Sequence, residues 1–265
     1  MNDDVIRPAA VAGTFYPDEP DELKEMVEGF IESAPEIELG GKLKGLVVPH
    51  AGYIYSGLTA GVGYKVLQRY SDYFNKALIV GPSHYAGFHG IVESGIGAWE
   101  TPLGRVGARS IAEDVKDKTI RTYPEAHMPE HCIEVQIPFL QTVLEEFEIY
   151  ALLTGEAEPK EVADKLDKAL DERTVFIASS DLSHYNTYSK AIEIDAKANK
   201  YIPKLDIKNA EKSLDACGRT GIIALMHIAK KHKWKGKFLD YKNSGDTAGD
   251  KIRVVGYGAY AFYEE

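Results

Sequence analysis

The sequence predicts an α/β protein in which a mixed, mainly parallel sheet is flanked by helices. Short apolar runs end abruptly at proline, glycine or polar residues, which is typical of buried parallel strands. Segments of helical length lie between these runs, and the two kinds of segment alternate over most of the 265 residues. Because no linker or internal repeat interrupts the alternation, we expect one domain over residues 1–265.

The predicted strands are short, and turn or polar residues follow each of them at once. The first closes at Pro49 and the second at Gly81-Pro82. The predicted parallel strands are residues 43–48, 77–80, 149–153 and 175–178. Near the end of the chain, the glycine and aromatic spacing of residues 238–241 and 252–263 favours an antiparallel pair.

The predicted helices combine a suitable start with apolar or small residues on one face. Ser56 is placed as the N-cap of the first helix, and Pro129 opens the second. The predicted helices are residues 56–70, 129–147, 160–170, 188–202, 207–216 and 221–231. The glycine-rich stretch 88–111 predicts an irregular or hairpin insertion between strands.

The composition restricts the partners and the compartment. A hydrophobic content of 44% can supply a continuous core, and a net charge of −10 argues against a nucleic-acid partner. The sequence contains no apolar run of membrane-spanning length and no signal-peptide pattern at its start, so we expect no membrane partner and a cytoplasmic location. The two cysteines do not form a disulfide framework, and each needs its own explanation.

Three histidines follow predicted strand ends. His50 comes directly after Pro49, His84 follows the second strand, and His184 follows the fourth. Ligands of open α/β sheets collect beyond the carboxyl ends of the strands, so these imidazoles are expected in one crevice. Neutral imidazoles bind zinc, copper, iron and nickel, and the sequence therefore predicts a metal-capable pocket.

A third, anionic ligand is expected beside His50 and His84. Asp181 and Asp246 are carboxylate candidates, but we favour the thiolate of Cys217. Cys217 stands just before a predicted helix, whose N-terminal dipole would lower the pKa of the thiol together with the nearby Arg219. The alternative is that Cys217 is a small buried apolar residue.

Two acid–histidine pairs are further candidates. Asp181 and His184 share one loop, where a carboxylate-oriented imidazole could act as general acid or base. Asp181 could equally cap the following helix. His131 and Glu134 are placed three apart on one helical face, where such a pair can orient substrate or metal-bound water or simply be helix-end charges. Cys132, between them, is expected to serve in packing.

Six motifs in this order resemble the Memo-like family, over about residues 7–262. The motifs are Gly13-Thr14-Phe15-Tyr16, Pro49-His50-Ala51-Gly52-Tyr53, Gly81-Pro82-Ser83-His84, Glu130-His131-Cys132-Ile133-Glu134, Ser179-Ser180-Asp181-Leu182-Ser183-His184 and Cys217-Gly218-Arg219. Six ordered motifs are far more specific than any one of them. The resemblance implies a fold similar to that of the class III extradiol dioxygenases, which cleave catechol rings with non-haem iron.

The resemblance also implies roles for residues. His50 and His84 match the two metal-binding histidines, Cys217 stands where the dioxygenases have a glutamate, and His184 matches their acid/base histidine. Because a thiolate is softer than a carboxylate, iron or copper is the expected ion, zinc is a further candidate, and ring cleavage is put in doubt. No nucleotide cofactor is expected.

Several functions are compatible with this resemblance. The first is a redox metalloenzyme for a small aromatic or phenolic substrate, contacted by Glu130, His131, Arg219 and the aromatic wall residue Phe15. The second is a binding or adaptor module that holds a peptide or a small anion in the same crevice, and the third is metal handling without turnover. The resemblance further implies a radical-enzyme system as a partner of microbial members.

Overall fold

A mixed sheet of twelve strands runs through the computed structural model, which describes residues 2–265. The strands are β1 (Asn2–Arg7), β2 (Lys42–Val48), β3 (Lys76–Pro82), β4 (Ile91–Glu93), β5 (Ile96–Thr101), β6 (Gly104–Ala108), β7 (Arg121–Thr122), β8 (Glu148–Thr154), β9 (Thr174–Ser179), β10 (His184–Asn186), β11 (Lys235–Asn243) and β12 (Val254–Glu264). The four predicted parallel strands correspond to β2, β3, β8 and β9. The predicted α/β fold class is confirmed.

Helices connect most of these strands. They are α1 (Pro20–Ser33), α2 (Tyr53–Gln68), α3 (Ile111–Asp114), α4 (Pro124–His127), α5 (Ile137–Val143), α6 (Pro159–Leu166), α7 (Tyr188–Tyr201), α8 (Ile207–Ser213), α9 (Arg219–Lys231) and α10 (Ser244–Thr247). Short 3₁₀ segments cover Ser71–Tyr73, Glu134–Gln136 and Asp167–Ala169. Among the described residues, no helix has both the length and the apolar character that crossing a bilayer requires.

The centre of the sheet is a block of four parallel strands in the order β8-β3-β9-β2, and β12 runs antiparallel beside β2. The register pairs Val48 of β2 with Ser179 of β9, and Ala178 of β9 with Val80 of β3. The carboxyl ends of β3, β9 and β2 therefore lie side by side. The loops after these strands emerge at one edge of the sheet, where a ligand crevice is expected.

Two apolar clusters cover the two faces of the sheet. Alternate residues of β2 belong to different clusters: Leu46 and Val48 pack in one, and Val47 in the other. The first cluster contains buried residues of α1, α2 and α5, and the second contains those of α6, α7, α8 and α9. The sheet is thus the middle layer between helices.

Two predicted helices differ from the structure. The predicted helix 129–147 is wrong in its bounds, since α5 spans only Ile137–Val143 after a 3₁₀ turn. Pro138 has no N–H and cannot continue a helical hydrogen-bond ladder from the preceding turn. The helix expected from Ser56 begins earlier, at Tyr53, and the Ser56 hydroxyl instead donates to the carbonyl of Ala51. The hairpin in 88–111 and the antiparallel C-terminal pair are confirmed.

A buried ion pair ties β1 to the segment before α5. Both Arg7 and Glu134 are fully buried, and Arg7 Nη1 lies 2.6 Å from Glu134 Oε2. The guanidinium also donates to the carbonyls of His127 and Glu130. The Glu134 carboxylate accepts the Tyr16 hydroxyl at 2.6 Å. Glu134 therefore serves this anchor, and the predicted pairing of His131 with Glu134 on a helical face is wrong, because neither residue lies on an α-helix.

The buried ring of His127 gives a pH-dependent stability. Burial, only partly offset by the Val92 backbone, lowers the pKa of His127 from about 6.5 to about 3. Between these values the unfolded chain takes up a proton that the folded chain does not, so the free energy of unfolding falls as the pH falls from 6.5 towards 3. We expect the protonation of His127 in the unfolded chain to lower the free energy of unfolding by about 2 kcal/mol between pH 7 and pH 5.

Urea unfolding in the presence of a chelator at pH 7 and pH 5 measures this loss. The variant His127→Leu should lose less stability than the wild type on acidification. The exposed His89 supplies the matched control, and His89→Leu should retain the wild-type pH dependence. Equal pH dependence of His127→Leu and the wild type would contradict the assignment.

Candidate metal centre

Three side chains predicted as metal ligands meet at the carboxyl edge of the sheet. His50 follows β2, His84 follows β3, and Cys217 lies just before α9. The ligand atoms of these three residues all lie within 4.8 Å of one another. The predicted convergence of two imidazoles and one sulfur is therefore present in the structure.

His50 is buried between the sheet and the loop that carries Cys217. The residue is 2% exposed, and its Nε2 lies 3.2 Å from Cys217 Sγ. Its Nδ1 lies 3.0 Å from the hydroxyl of Ser179, at the end of β9. Burial, reinforced by the neighbouring His84, lowers the pKa of His50 to about 3. The imidazole is therefore neutral near pH 7, as metal ligation requires.

His84 is held by a buried carboxylate. Its Nδ1 lies 2.8 Å from Glu130 Oε1, and its backbone N–H donates to Glu130 Oε2 at 2.7 Å. Burial alone would raise the pKa of Glu130, but the hydrogen bonds from His84 outweigh it and lower that pKa to about 2. A carboxylate behind an imidazole fixes the ring orientation and raises the basicity of the other nitrogen. Glu130 thus positions His84, and its predicted contact with substrate stays a prediction.

Cys217 reaches the site because the chain passes very close to the end of β9. A Cβ on Gly218 would lie 2.6 Å from the carbonyl oxygen of Ser179, so only glycine fits there. The Cys217 sulfur accepts the N–H of Asp181 at 3.3 Å. These contacts place the sulfur at the carboxyl ends of the strands.

The expected lowering of the Cys217 pKa is wrong for the metal-free protein. Burial and the neighbouring Asp181 raise it from 9.0 to about 12. Arg219, which was expected to stabilise a thiolate, donates its Nη2 to the carbonyl of Glu211 instead. Desolvation outweighs the helix dipole, so the sulfur needs a bound cation to lose its proton. A substrate contact of Arg219 stays a prediction.

His131 and Phe15 form one wall of the crevice. The His131 ring stacks on that of His84, with 4.7 Å between centroids and 20° between planes. The Phe15 ring packs against the same His131 ring, with 4.7 Å between the two centroids. His84, Glu130 and His131 also form a second group whose ligand atoms lie within 4.8 Å of one another. The roles of Phe15 and His131 towards substrate stay predictions.

Asp181 supports the backbone of a ligand. Its Oδ1 accepts the N–H of His50 at 2.8 Å, so the residue does not cap α7, which begins after Thr187. Burial raises the pKa of Asp181 even though it accepts this backbone N–H. His184 begins β10, and its electrostatic effect on the pKa values of His50 and Asp181 is smaller than that of burial. An acid/base role for Asp181 and His184 stays a prediction.

The donor set fits a transition-metal ion. Metal bonds of about 2.0 Å to imidazole and 2.3 Å to thiolate allow an imidazole nitrogen and a thiolate sulfur on one ion to lie up to about 4.3 Å apart. The ligand atoms all lie within 4.8 Å of one another, and His50 Nε2 and Cys217 Sγ are 3.2 Å apart, so at most a small side-chain adjustment is needed to reach this limit. Nitrogen and sulfur donors select zinc, copper or iron over magnesium or calcium. The alternative ligand Asp246 instead accepts the N–H of Asn243 and the hydroxyl of Tyr188 at the start of α10.

The sequence did not predict two contacts that support the candidate ligands. Ser179 was part of a recognised motif without a role, and Gln136, which donates to the Ser179 hydroxyl at 2.8 Å, carried no signal at all. Glu130 was recognised, but its contact with His84 was not. A carboxylate 46 positions from a histidine has no periodicity that would reveal such a pair.

Comparisons with known proteins identify the family. The family model described as Memo-like protein matches residues 7–261. A MEMO1 family protein of Thermoplasma acidophilum is 34% identical over 276 aligned positions, which cover 96% of this chain and 97% of the relative. The MEMO1 family proteins of Nitrosopumilus maritimus and Methanopyrus kandleri are 34% and 36% identical, over 97% of this chain and 100% and 98% of the relatives. The chain belongs to the Memo-like family.

Proposed function

We propose that this protein binds redox-active iron or copper at His50, His84 and Cys217 and acts as an oxidoreductase on a small aromatic or phenolic molecule. The observation that carries the proposal is the meeting of three ligand atoms from three distant segments within 4.8 Å. Two imidazoles and one thiolate leave coordination positions open, as catalytic sites require. When bound, such an ion supplies Lewis acidity and redox chemistry.

The surrounding residues support a role in catalysis. The carboxylate of Glu130 orients one ligand, and the Asp181 carboxylate holds the backbone of another. We assign His184, at the start of β10, the transfer of a proton to or from a substrate hydroxyl. Phe15 and His131 offer an aromatic wall against which a planar ring can pack.

A cavity adjoins the sulfur and gives a small molecule room to bind. It has a volume of about 530 Å³, within the usual range for ligand pockets. Its lining includes Cys217, Thr220, Ser83, Phe88 and Thr154, but not Phe15, His131 or the two ligand histidines. Hydroxyl groups beside an aromatic ring suit a phenol, which offers both a ring and a hydrogen-bonding oxygen.

The proposed ligand set is tested by anaerobic reconstitution with Fe(II) or Cu(I), followed by elemental analysis and absorption spectroscopy. A thiolate bound to Co(II) or Cu(II) gives thiolate-to-metal charge-transfer absorption bands. Loading with these two ions therefore adds a spectroscopic readout of the sulfur ligand to the elemental analysis. We expect such bands in the wild type and their loss in Cys217→Ser.

Cys132 supplies a matched control. It is fully buried, and its sulfur donates to the carbonyl of Pro82 at 3.2 Å rather than pointing to the ligand group. Cys132→Ser should therefore retain the charge-transfer bands. Metal-free wild-type protein after every anaerobic loading would refute the proposed function, and so would bands that survive in Cys217→Ser.

Turnover separates an oxidoreductase from a metal-handling protein. The reconstituted protein is incubated aerobically with catechol and related phenols while oxygen consumption and products are followed. Product formation that is lost in His184→Ala, with the metal content unchanged, supports the enzyme. Full metal content without product from any phenol or thiol tested supports metal handling instead.

Peptide or small-anion binding is a second candidate, favoured by exposed aromatic groups beside two of the site histidines, His84 and His184. Tyr85 and Tyr185 are 61% and 65% exposed, and each directly follows a site histidine. The Arg253 guanidinium lies 4.9 Å from the centre of the Tyr185 ring and supplies a positive charge. A phosphotyrosine peptide should then stabilise the metal-free protein, by about 2.7 kcal/mol at a hundredfold excess over its Kd.

A further inference from the structure

We propose that Ser179 and Gln136 are positioning residues that fix the tautomer of His50, with the proton on Nδ1 and the lone pair of Nε2 facing Cys217. The consequence for metal affinity rests on the proposed function. The tautomer itself is a property of the metal-free protein and can be tested separately. The argument follows from which atoms in a buried chain of hydrogen bonds can donate and which can only accept.

The orientation of the Gln136 side-chain amide is determined first. Its nitrogen lies 2.9 Å from the carbonyl oxygen of Pro49, which can only accept. A flipped amide would place two acceptor oxygens against each other. Its oxygen accepts the hydroxyl of Tyr64 at 2.9 Å, which agrees with this orientation. The second N–H of Gln136 then donates to the Ser179 hydroxyl oxygen at 2.8 Å.

The single proton of the Ser179 hydroxyl is determined next. Ser179 Oγ lies 2.6 Å from the carbonyl oxygen of Cys132, which again can only accept. The hydroxyl therefore donates to Cys132 and retains one free lone pair after it accepts from Gln136. His50 Nδ1, 3.0 Å away, must be the donor to that lone pair.

The opposite tautomer has no satisfactory arrangement. If Nδ1 carried no proton, Ser179 would have to donate to His50, and two oxygens at 2.6 Å would face each other without a proton between them. His50, Ser179 and Gln136 are each at most 2% exposed, so water does not substitute for the missing partner. The network thus keeps Nε2 unprotonated, 3.2 Å from Cys217 Sγ.

This arrangement prepares His50 to bind a metal. A histidine ligates through an unprotonated nitrogen, and its other nitrogen is commonly held by a hydrogen-bond partner. Glu130 fills that role for His84, and the Ser179–Gln136 pair fills it for His50. Loss of such a partner costs about 10- to 100-fold in metal affinity.

The first test observes the tautomer in wild-type protein without metal. Protein labelled with ¹⁵N-histidine is studied by long-range proton–nitrogen correlation at pH 7, in the presence of a chelator. The signal of His50 is identified by its absence in His50→Gln. We expect a protonated Nδ1 and an unprotonated Nε2, and a protonated Nε2 would overturn the proposal.

The second test measures Co(II) affinity by titration with absorption detection. Ser179→Ala removes the acceptor for the His50 Nδ1–H. Gln136→Met removes both amide N–H donors while keeping the length of the side chain. Each should bind Co(II) about 10- to 100-fold more weakly. Thr59→Val is the matched control, because it also removes a buried hydroxyl, one that donates to Asp240 on β11.

The outcomes separate this proposal from the proposed function. Folded Ser179→Ala and Gln136→Met proteins with wild-type Co(II) affinity would refute the positioning role. If Ser179→Ala does not fold, Gln136→Met and the wild-type spectrum still decide the question. A wild type that has the Nδ1–H tautomer but binds no metal would refute the metal centre and support the tautomer assignment.

Discussion

His50→Ala is expected to remove nearly all bound metal from the anaerobically reconstituted protein. The variant loses a ligand whose Nε2 lies 3.2 Å from the sulfur of Cys217. Losing a residue that merely supports a ligand costs about 10- to 100-fold in affinity, so losing the ligand itself should cost more than about 100-fold. Elemental analysis after gel filtration measures the result.

His232→Ala is the control for this loss. His232 follows α9, is partly exposed, and its Nε2 lies 2.6 Å from Asp167, which is not among the candidate ligands. We expect its metal content to equal that of the wild type. If His50→Ala retained full metal content while His84→Ala lost it, the ion would belong to the second group formed by His84, Glu130 and His131.

Arg7→Met is expected to destabilise the fold by about 3–5 kcal/mol, because it leaves the carboxylate of Glu134 buried without its counter-ion. It also removes the donors to the carbonyls of His127 and Glu130. The midpoint of urea unfolding at pH 7 measures the change. Since Glu130 positions His84, we also expect the variant to bind metal more weakly at temperatures where it is still folded.

Arg105→Met is the matched control, since it breaks an exposed ion pair. Arg105 Nε lies 3.0 Å from Glu100, and the two side chains are 59% and 40% exposed. Exposed pairs contribute about 0–1 kcal/mol, so this variant should unfold near the wild-type midpoint. Equal stability losses for the two variants would contradict the anchoring role of Arg7.

Local sequence patterns predicted the centre of the fold well. Apart from Lys44 and the residues at the strand ends, the runs that became β2, β3, β8 and β9 are apolar, because strands buried on both faces need no polar alternation. The helix bounds around Pro138 were wrong, because the apolar spacing continued across a residue that interrupts the backbone hydrogen bonds.

The candidate site was predictable as far as it depends on strand ends. His50 and His84 could be placed because each directly follows a strand of the parallel block, and Cys217 because a helix begins after it. The supporting contacts of Gln136 and Glu130 depend on side-chain direction across distant segments. The pKa of Cys217 was misjudged because the sequence shows a helix start but does not show how deeply the sulfur is buried.

The order of the ligands along the chain has a consequence for biosynthesis. Cys217 lies 167 positions after His50, so a ribosome exposes both histidines long before it adds the thiol. β9, which ends at Ser179, lies between the two histidines and Cys217 in the sequence and is also synthesised late. A nascent chain therefore cannot assemble the full donor set, and under the proposed function metal would be loaded only after most of the protein has been translated.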